Sequence, residues 1–388
     1  MFLIMKTTVA KIYINNFKHN INQIKSLLKP NVKICVAVKA DAYGHGAIRC
    51  AKEAVALGVD FLAVARVSEG IELREAGINV PILLLSLCNP NEYSDLIKYK
   101  ITPFVFDEQY ILGISEAVKN AKQSSFNVHL AIDTGMGRIG CNPSDAAKLA
   151  KFIISTGNLK LEGVASHCSV ADSDTEDDKA YTKKQFDLFN SAVESIKNAG
   201  IDPGIRHISN SAVAINNPEM QLDMIRPGII VYGYYPGDFN KDYFIKRNVN
   251  IELLPVMALC TKLCSIRKCE KGKAISYGRT FVTQSETNIG VLPIGYADGM
   301  LRSFLKANIL VSINKNAYPL CGRICMDQCM IDLGPNVDVN RWDEVIIFGP
   351  KNKGAKQTAQ EIADATGTIS YEITCGISKR VERIYIED

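Results

Sequence analysis

At 388 residues the chain is too long for one ordinary hydrophobic core and suggests two domains, unless a barrel takes up most of it. Its 47% hydrophobic and 22% charged residues are those of a soluble globular protein and exclude disordered and fibrous chains. Forty-five basic against 41 acidic residues leave a net charge of +4, too small and too dispersed for a nucleic-acid or membrane-surface partner.

The opening MFLIM has no basic segment before it and no small-residue cleavage site after it, so it reads as a loose start rather than a signal peptide. Residues 7–14 alternate like a strand, and 16–28 have the spacing of an amphipathic helix. From about 31 to 231, β-branched runs at 32–38, 61–65, 82–85, 102–105, 126–132, 161–166, 205–208 and 222–225 alternate with helical patterns. The clearest helices are 68–76, 107–121, 143–154 and 178–199, with Ser68 and Asp107 as N-caps. Eight strand–helix units in this length suit a (β/α)8 barrel of the TIM type, and a doubly wound parallel sheet is the competing topology.

After about 248 the texture changes. Strand-like runs at 251–266, 273–283, 287–293, 309–313, 318–330 and 344–348 are separated by Gly, Asn, Lys and Asp, with one helix at 358–366. The expected organisation is a barrel over 1–247, its leading strand and helix packing on the second domain, and a mostly β domain over 248–388. The longest apolar stretch, 80–88, is far short of a membrane span. The twelve cysteines fall largely in apolar runs, and Cys321, Cys325 and Cys329 recur every fourth residue without a metal-binding pair. Reduced thiols in a cytoplasmic protein, with no metal site, are the expectation.

Barrel enzymes work at the C-terminal ends of their strands. The first strand ends on Lys39, followed by Tyr43 and a Gly-His-Gly turn, and the fifth on Asp133-Thr-Gly-Met-Gly-Arg138. His167 follows the sixth, Ser209-Asn210-Ser211 the seventh and Arg226-Pro-Gly228 the eighth. A lysine closing the apolar run ICVAV should be partly desolvated, which lowers its pKa and frees an amine nucleophile; the alternative is a lysine that snorkels to solvent. Ser211 at a helix start and Gly228 without a Cβ suit a phosphate, or else serve only as cap and turn. An amine nucleophile beside a phosphate cup points to pyridoxal phosphate.

These segments carry a family resemblance. AVKADAYGHG (37–46), DTGMGRIG (133–140), SNSA (209–212), MIRPGIIVYG (224–233), ISYGRTF (275–281), IGYADG (294–299) and GRICMDQ (322–328) closely resemble alanine racemase, in the family's order over essentially the whole chain. The resemblance implies a homodimer with shared active sites, an N-terminal barrel and a C-terminal β domain. It implies pyridoxal 5'-phosphate bound through Lys39, which is also the base on one face. By the same resemblance Tyr277 of the other subunit would be the base on the opposite face, in keeping with a planar carbanion that must lose and regain its proton on different sides. A phenol is a poor base in water, so its site must favour phenolate through nearby cations.

By the same resemblance Arg226 faces the pyridine nitrogen, His167 packs near it, and Tyr43, Asn210, Ser211, Gly228, Ile229 and Tyr371 hold the cofactor. Arg138 and the amide of Met326 receive the substrate carboxylate. Asp172, Tyr296, Arg302, Arg323 and Ile369 line the entry. The implied activity is interconversion of L- and D-alanine, supplying D-alanine for peptidoglycan. A serine-preferring or broader racemase, a barrel-type decarboxylase and a non-catalytic cofactor carrier are the alternatives. Two positions depart from the family pattern. Ala131 stands where many members carry a carbamylated lysine, and a small anion or ordered water is expected to fill that gap beside Arg138. Glu382 stands where proline is usual.

Overall fold

The eight runs of the first region become eight strands that pair in parallel. In a computed structural model, which describes residues 7–387, a leading strand β1 (Val9–Tyr13) precedes them. They are β2 (Lys33–Ala37), β3 (Phe61–Val64), β4 (Ile82–Leu84), β5 (Ile101–Val105), β6 (Phe126–Ala131), β7 (Leu159–Ala165), β8 (Ile205–His207) and β9 (Met224–Ile225). Their order is β8-β7-β6-β5-β4-β3-β2-β9. The seam between β8 and β9 is bridged by Asp223 N–H to Arg206 O at 3.1 Å and Arg226 N–H to Ser209 O at 2.9 Å, so the sheet curls into a nearly closed barrel. Strands covered on both faces need continuous apolar runs, which explains the lack of alternation in their sequences. Cys35, Phe61, Ala63, Leu83, Phe104, Ala131, Ala165 and Met224 fill the interior. The MFLIM segment lies outside the described residues.

Two local expectations at the helix starts had different outcomes. Asp107 caps the helix Glu108–Asn120, its carboxylate accepting from the Tyr110 amide at 2.7 Å. Ser68 is no cap, because the helix Val67–Glu75 starts one residue before it. The acceptor is Glu69, whose Oε2 takes the amides of Ala65 and Arg66 at 2.8 and 3.1 Å.

The second region forms β10 (Met257–Lys262), β11 (Ser265–Cys269), β12 (Ala274–Ile275), β13 (Phe281–Val282), β14 (Thr287–Leu292), β15 (Leu310–Ile313), β16 (Asn316–Cys321), β17 (Cys329–Gly334), β18 (Glu344–Phe348) and β19 (Glu382–Ile386). Nine strands make one sheet in the order β11-β14-β17-β16-β15-β18-β10-β1-β19. The strand β1 lies between β10 and β19, antiparallel to one and parallel to the other. Glu382 opens β19 opposite Val9. The helix Ile14–Ser26 that follows β1 packs on the barrel helix Ala47–Ala56 and on the turn Ile229–Tyr232.

The run 251–266 is not one strand. Its first half makes no ladder because side chains and the barrel occupy its backbone groups. Asn16 donates to Pro255 O, Asn20 brackets Leu254, and Val256 donates to Tyr232 O. The run 318–330 is likewise split, since the GRICMDQ loop leaves the sheet between β16 and β17. The helix Ser370–Cys375 and strand β19 were not foreseen. Among the described residues no helix is long and apolar enough to cross a membrane, and all twelve cysteines are unpaired thiols.

Candidate active site

The chain leaves β2 in a conformation that four consecutive side-chain-bearing residues rarely share. Ala40, Asp41, Ala42 and Tyr43 all have positive φ, between 51° and 55°, forming a single left-handed turn over Lys39–Tyr43. Left-handed residues cost roughly 1–2 kcal/mol each, so the turn persists only where its surroundings over-determine it. Glu69 Oε1 accepts from the Ala40 amide at 2.7 Å, Asp41 Oδ1 from the Ala47 amide at 2.7 Å, and Gly44 O from Nε of Arg383 at 2.9 Å. The buried His45 ring lies 3.0 Å from the carbonyls of both Ala42 and Tyr43. The turn presents Lys39 and Tyr43 to the same cavity at the barrel mouth. Burial, then the nearby Arg138 cation, lowers the Lys39 pKa, against the opposing charge of Glu69.

Two adjoining cavities, of about 270 and 310 Å³, share Lys39, Leu85, His167 and Arg226 as walls. The first extends toward Ala131, Asp133 and Arg138. The loop that carries Arg138 is folded on Asp133, whose carboxylate accepts from the amides of Gly135 and Gly137. Among the described residues the Arg138 guanidinium has no hydrogen-bond or ion-pair partner, and the Ala131 methyl in the same cavity offers none.

The second cavity runs over Tyr43, Asn210, Ser211, Gly228, Ile229, Tyr371 and Asp172. Asn210 caps the helix Ser211–Asn216 through the amides of Ala212 and Val213, both at 3.1 Å. Ser211 Oγ accepts from the Gly228 amide at 2.8 Å. A Cβ at residue 228 would stand 2.5 Å from the Tyr43 hydroxyl, so any side chain there would push that ring aside. Tyr43 stacks on Tyr232 at 4.8 Å and tilts against Tyr371 at 5.7 Å. Burial raises the pKa of both Tyr43 and Tyr371, so both remain neutral donors.

Arg226 is buried at the junction of the cavities. Its Nη1 donates to His207 Nδ1 at 2.6 Å and to His207 O at 3.0 Å. Its Nη2 donates to Ser166 O at 2.6 Å and faces His167 Nδ1 at 3.3 Å. Nε finds no partner among the described residues. Burial pulls this guanidinium down to about 10, still charged at neutral pH. His167 is pushed down to about 3, by burial first and then by Arg226, and is therefore neutral.

Apart from Tyr371, which walls the second cavity, the second-domain residues singled out from sequence do not line these cavities. Tyr277 is 72% exposed and Met326 53%, and Tyr277 borders a separate groove. Arg302 and Arg323 line another, and the Arg323 guanidinium packs so closely on Gly278 that a Cβ there would lie 2.9 Å from its Cζ. Tyr296 and Ile369 are exposed. Sequence reading missed Asp41 and Glu69, which shape the lysine turn, and the buried pair His129–His207 behind Arg226. Glu69 carried a weak signal, an acid three residues into a helix at a strand end.

A nearly closed parallel barrel with a half-buried amine and a cationic rear wall at its mouth, joined to a β domain, has the architecture of a barrel enzyme. Family models for the N-terminal domain and the C-terminal domain of alanine racemase match residues 12–236 and 256–385. An alanine racemase of Treponema denticola is 48% identical over 99% of both chains, and one of Clostridium tetani is 45% identical over 100% of this chain and 97% of its own. The solved alanine racemase of Clostridium difficile 630 superposes with a TM-score of 0.90 at 40% identity, covering 99% of this chain and 97% of that one. The chain belongs to the alanine racemase family, and it is an isomerase.

Proposed function

We propose that the protein interconverts L- and D-alanine with pyridoxal 5'-phosphate and two bases, Lys39 and Tyr277 of the partner subunit. The observation that carries this reading is the convergence of Lys39, Arg226 and the Ser211–Gly228 cradle on adjoining cavities. The fit to the cofactor rests on three features: a Cβ-free approach at Gly228, an unpartnered Arg226 Nε–H, and an amine whose pKa burial lowers. When bound, the cofactor supplies a carbonyl carbon for an amine and an electron-withdrawing ring that acidifies the substrate Cα–H.

The remaining roles belong to the chain. Ser211, the amides at Gly228 and Ile229, Asn210, and the hydroxyls of Tyr43 and Tyr371 would hold the phosphate at the mouth of the seventh and eighth units. Arg226 would donate from Nε to the ring nitrogen and, being unable to give up its proton, would leave that nitrogen unprotonated, with His167 beside the guanidinium. Arg138, with the partner's Met326 amide, would take the substrate carboxylate and so orient the Cα–H bond for proton transfer. Lys39 moves the proton on one face, and the partner's Tyr277 on the other.

A homodimer is supported by the exposure of Tyr277 and Met326 and by their absence from the walls of both cavities. Asp172, Tyr296, Arg302, Arg323 and Ile369 would line the approach. A small anion beside Arg138 would replace the charge that Ala131 lacks. We place the enzyme in the cytoplasm, as a source of D-alanine for peptidoglycan, a setting in keeping with twelve unpaired thiols.

Polarimetry of the cofactor-loaded protein with L-alanine, serine, lysine and glutamate tests the reading. Rotation should decay to zero fastest with alanine, since Tyr371 crowds the site. A flat trace with bound cofactor would leave only a carrier, and carbon dioxide release without racemisation would indicate a decarboxylase.

A further inference from the structure

Arg226 is braced from behind by a buried series of side chains. Nη1 lies 2.6 Å from Nδ1 of His207, and Nε2 of that ring lies 2.8 Å from Nδ1 of His129. Nε2 of His129 in turn lies 3.2 Å from Oε2 of Glu162. The imidazoles come from β8 and β6 and are wholly buried, while the partly exposed carboxylate comes from β7. The His129 ring has room only because it faces Gly163, where a Cβ would stand 2.7 Å from Nδ1 and Cε1. A register shift between Val128 and His129 sets those two residues opposite each other. Phe104 stacks on His129 at 6.2 Å, closing the remaining side. Asn127 donates to Oε1 of Glu162 at 2.6 Å, so both carboxylate oxygens accept.

Counting donors leaves this series one proton arrangement. A guanidinium only donates, so His207 Nδ1 is bare and its proton sits on Nε2. That proton goes to His129 Nδ1, so the proton of His129 sits on Nε2 and goes to Glu162. Every bond points from Arg226 toward the carboxylate. A proton added to either ring would set two N–H groups face to face inside the barrel. Burial favours the neutral form of both rings, opposed at His129 by Glu162.

We propose that His129 and Glu162 are positioning residues for Arg226: they lock His207 as an acceptor and so aim the remaining Nε–H of the guanidinium into the cavity. The proposal rests on the reading of Arg226 as partner of the cofactor ring nitrogen. A neutral ring is free to carry its proton on either nitrogen, and here both ends break that symmetry, the guanidinium that only donates and the carboxylate that only accepts. Without Glu162 the acceptor end is lost and the penalty against the reversed arrangement falls, so that a fraction of His207 presents an N–H to Arg226 and pushes it off axis.

The test is nitrogen NMR on holoenzyme with 15N in its histidine rings and 15N at the cofactor ring nitrogen. The chain has five histidines, so single substitutions assign the signals. Expected in the unsubstituted enzyme are protonated Nε2 and bare Nδ1 on both rings. Glu162→Leu should give mixed tautomers and lower kcat roughly ten- to a hundredfold, as for loss of one hydrogen bond to a charged group, with KM for alanine within about twofold. Glu162→Gln keeps an acceptor oxygen and should restore the tautomers and most of kcat. A protonated Nδ1 on either ring of the unsubstituted enzyme overturns the proposal without any variant. So do tautomers left unchanged by Glu162→Leu. Histidine signals that move while the cofactor nitrogen signal stays fixed would instead overturn the pairing of Arg226 with the ring, leaving the proton order intact.

Discussion

Lys39 and Tyr277 differ in what their removal should leave behind. Lys39→Ala deletes the amine at the cavity wall while the left-handed turn keeps its backbone bonds, so the protein should fold but lose covalently held cofactor. The absorbance of the dialysed variant checks this, and a retained cofactor band would sink the assignment. Tyr277→Phe keeps the ring and removes only the hydroxyl. It should largely abolish inversion while Lys39 still washes deuterium out of one enantiomer of Cα-deuterated alanine. Equal loss of exchange from both enantiomers would count against separate bases. Because enantiomers have equal free energy in water, neither variant can shift the equilibrium ratio. Arg138 carries a third expectation. With Ala131 in the same cavity and no partner among the described residues, its guanidinium should recruit an anion, so replacing chloride by a bulky organic anion should raise KM for alanine by about tenfold, the equivalent of about 1.4 kcal/mol at one charge-assisted contact. An unchanged KM would put water there instead. The charged and nucleophilic groups of the site were legible because each ends a barrel strand, where the fold exposes side chains to the mouth. The groups behind them were not: His129 and His207 sit within strands, and nothing in their spacing shows that their rings meet.

At the level of elements, the strands were legible wherever burial on both faces imposes an apolar run, as in 82–85 and 126–132. Misreadings arose where a backbone took partners outside a ladder. The segment 251–256 has strand-like residues, yet Asn16, Asn20 and the carbonyl of Tyr232 claim its polar groups. The turn Lys39–Tyr43 was the least legible element, since no propensity favours four L-residues in the left-handed region. Its conformation is imposed by acceptors remote in sequence, which makes it sensitive to them. Asp41→Ala removes the acceptor of the Ala47 amide and one of the bonds that hold Tyr43 and Lys39 in position. Cofactor affinity should fall about tenfold, with a loss of stability of about 1–2 kcal/mol if the amide is left unsatisfied. Cofactor titration and thermal unfolding with and without the ligand check both. An affinity matching that of the unsubstituted enzyme would show that the turn is held without Asp41.

At the scale of the whole molecule, the lysine and the phenol lie on different domains, and the phenol points to solvent. An exposed aromatic and an exposed Met326 on the second domain are intelligible if a second copy covers them. Two-fold symmetry then makes the exchange reciprocal, each barrel receiving the phenol of its neighbour. Mixing inactive variants separates this from a phenol acting within its own chain. A homodimer of Lys39→Ala lacks the amine at both sites, and a homodimer of Tyr277→Phe lacks the phenol at both. In a heterodimer of the two, one site has lost both groups, whereas the other combines the intact Lys39 of one chain with the intact Tyr277 of the other. Random reassortment makes about half of the dimers mixed, each with one working site, so co-refolded equimolar variants should recover about a quarter of the activity of the unsubstituted enzyme. Activity should rise with the rate of subunit exchange and be absent when the variants are mixed under conditions that prevent it. If the phenol served its own chain, each site of the mixed dimer would still lack one group, and no activity would return at any ratio.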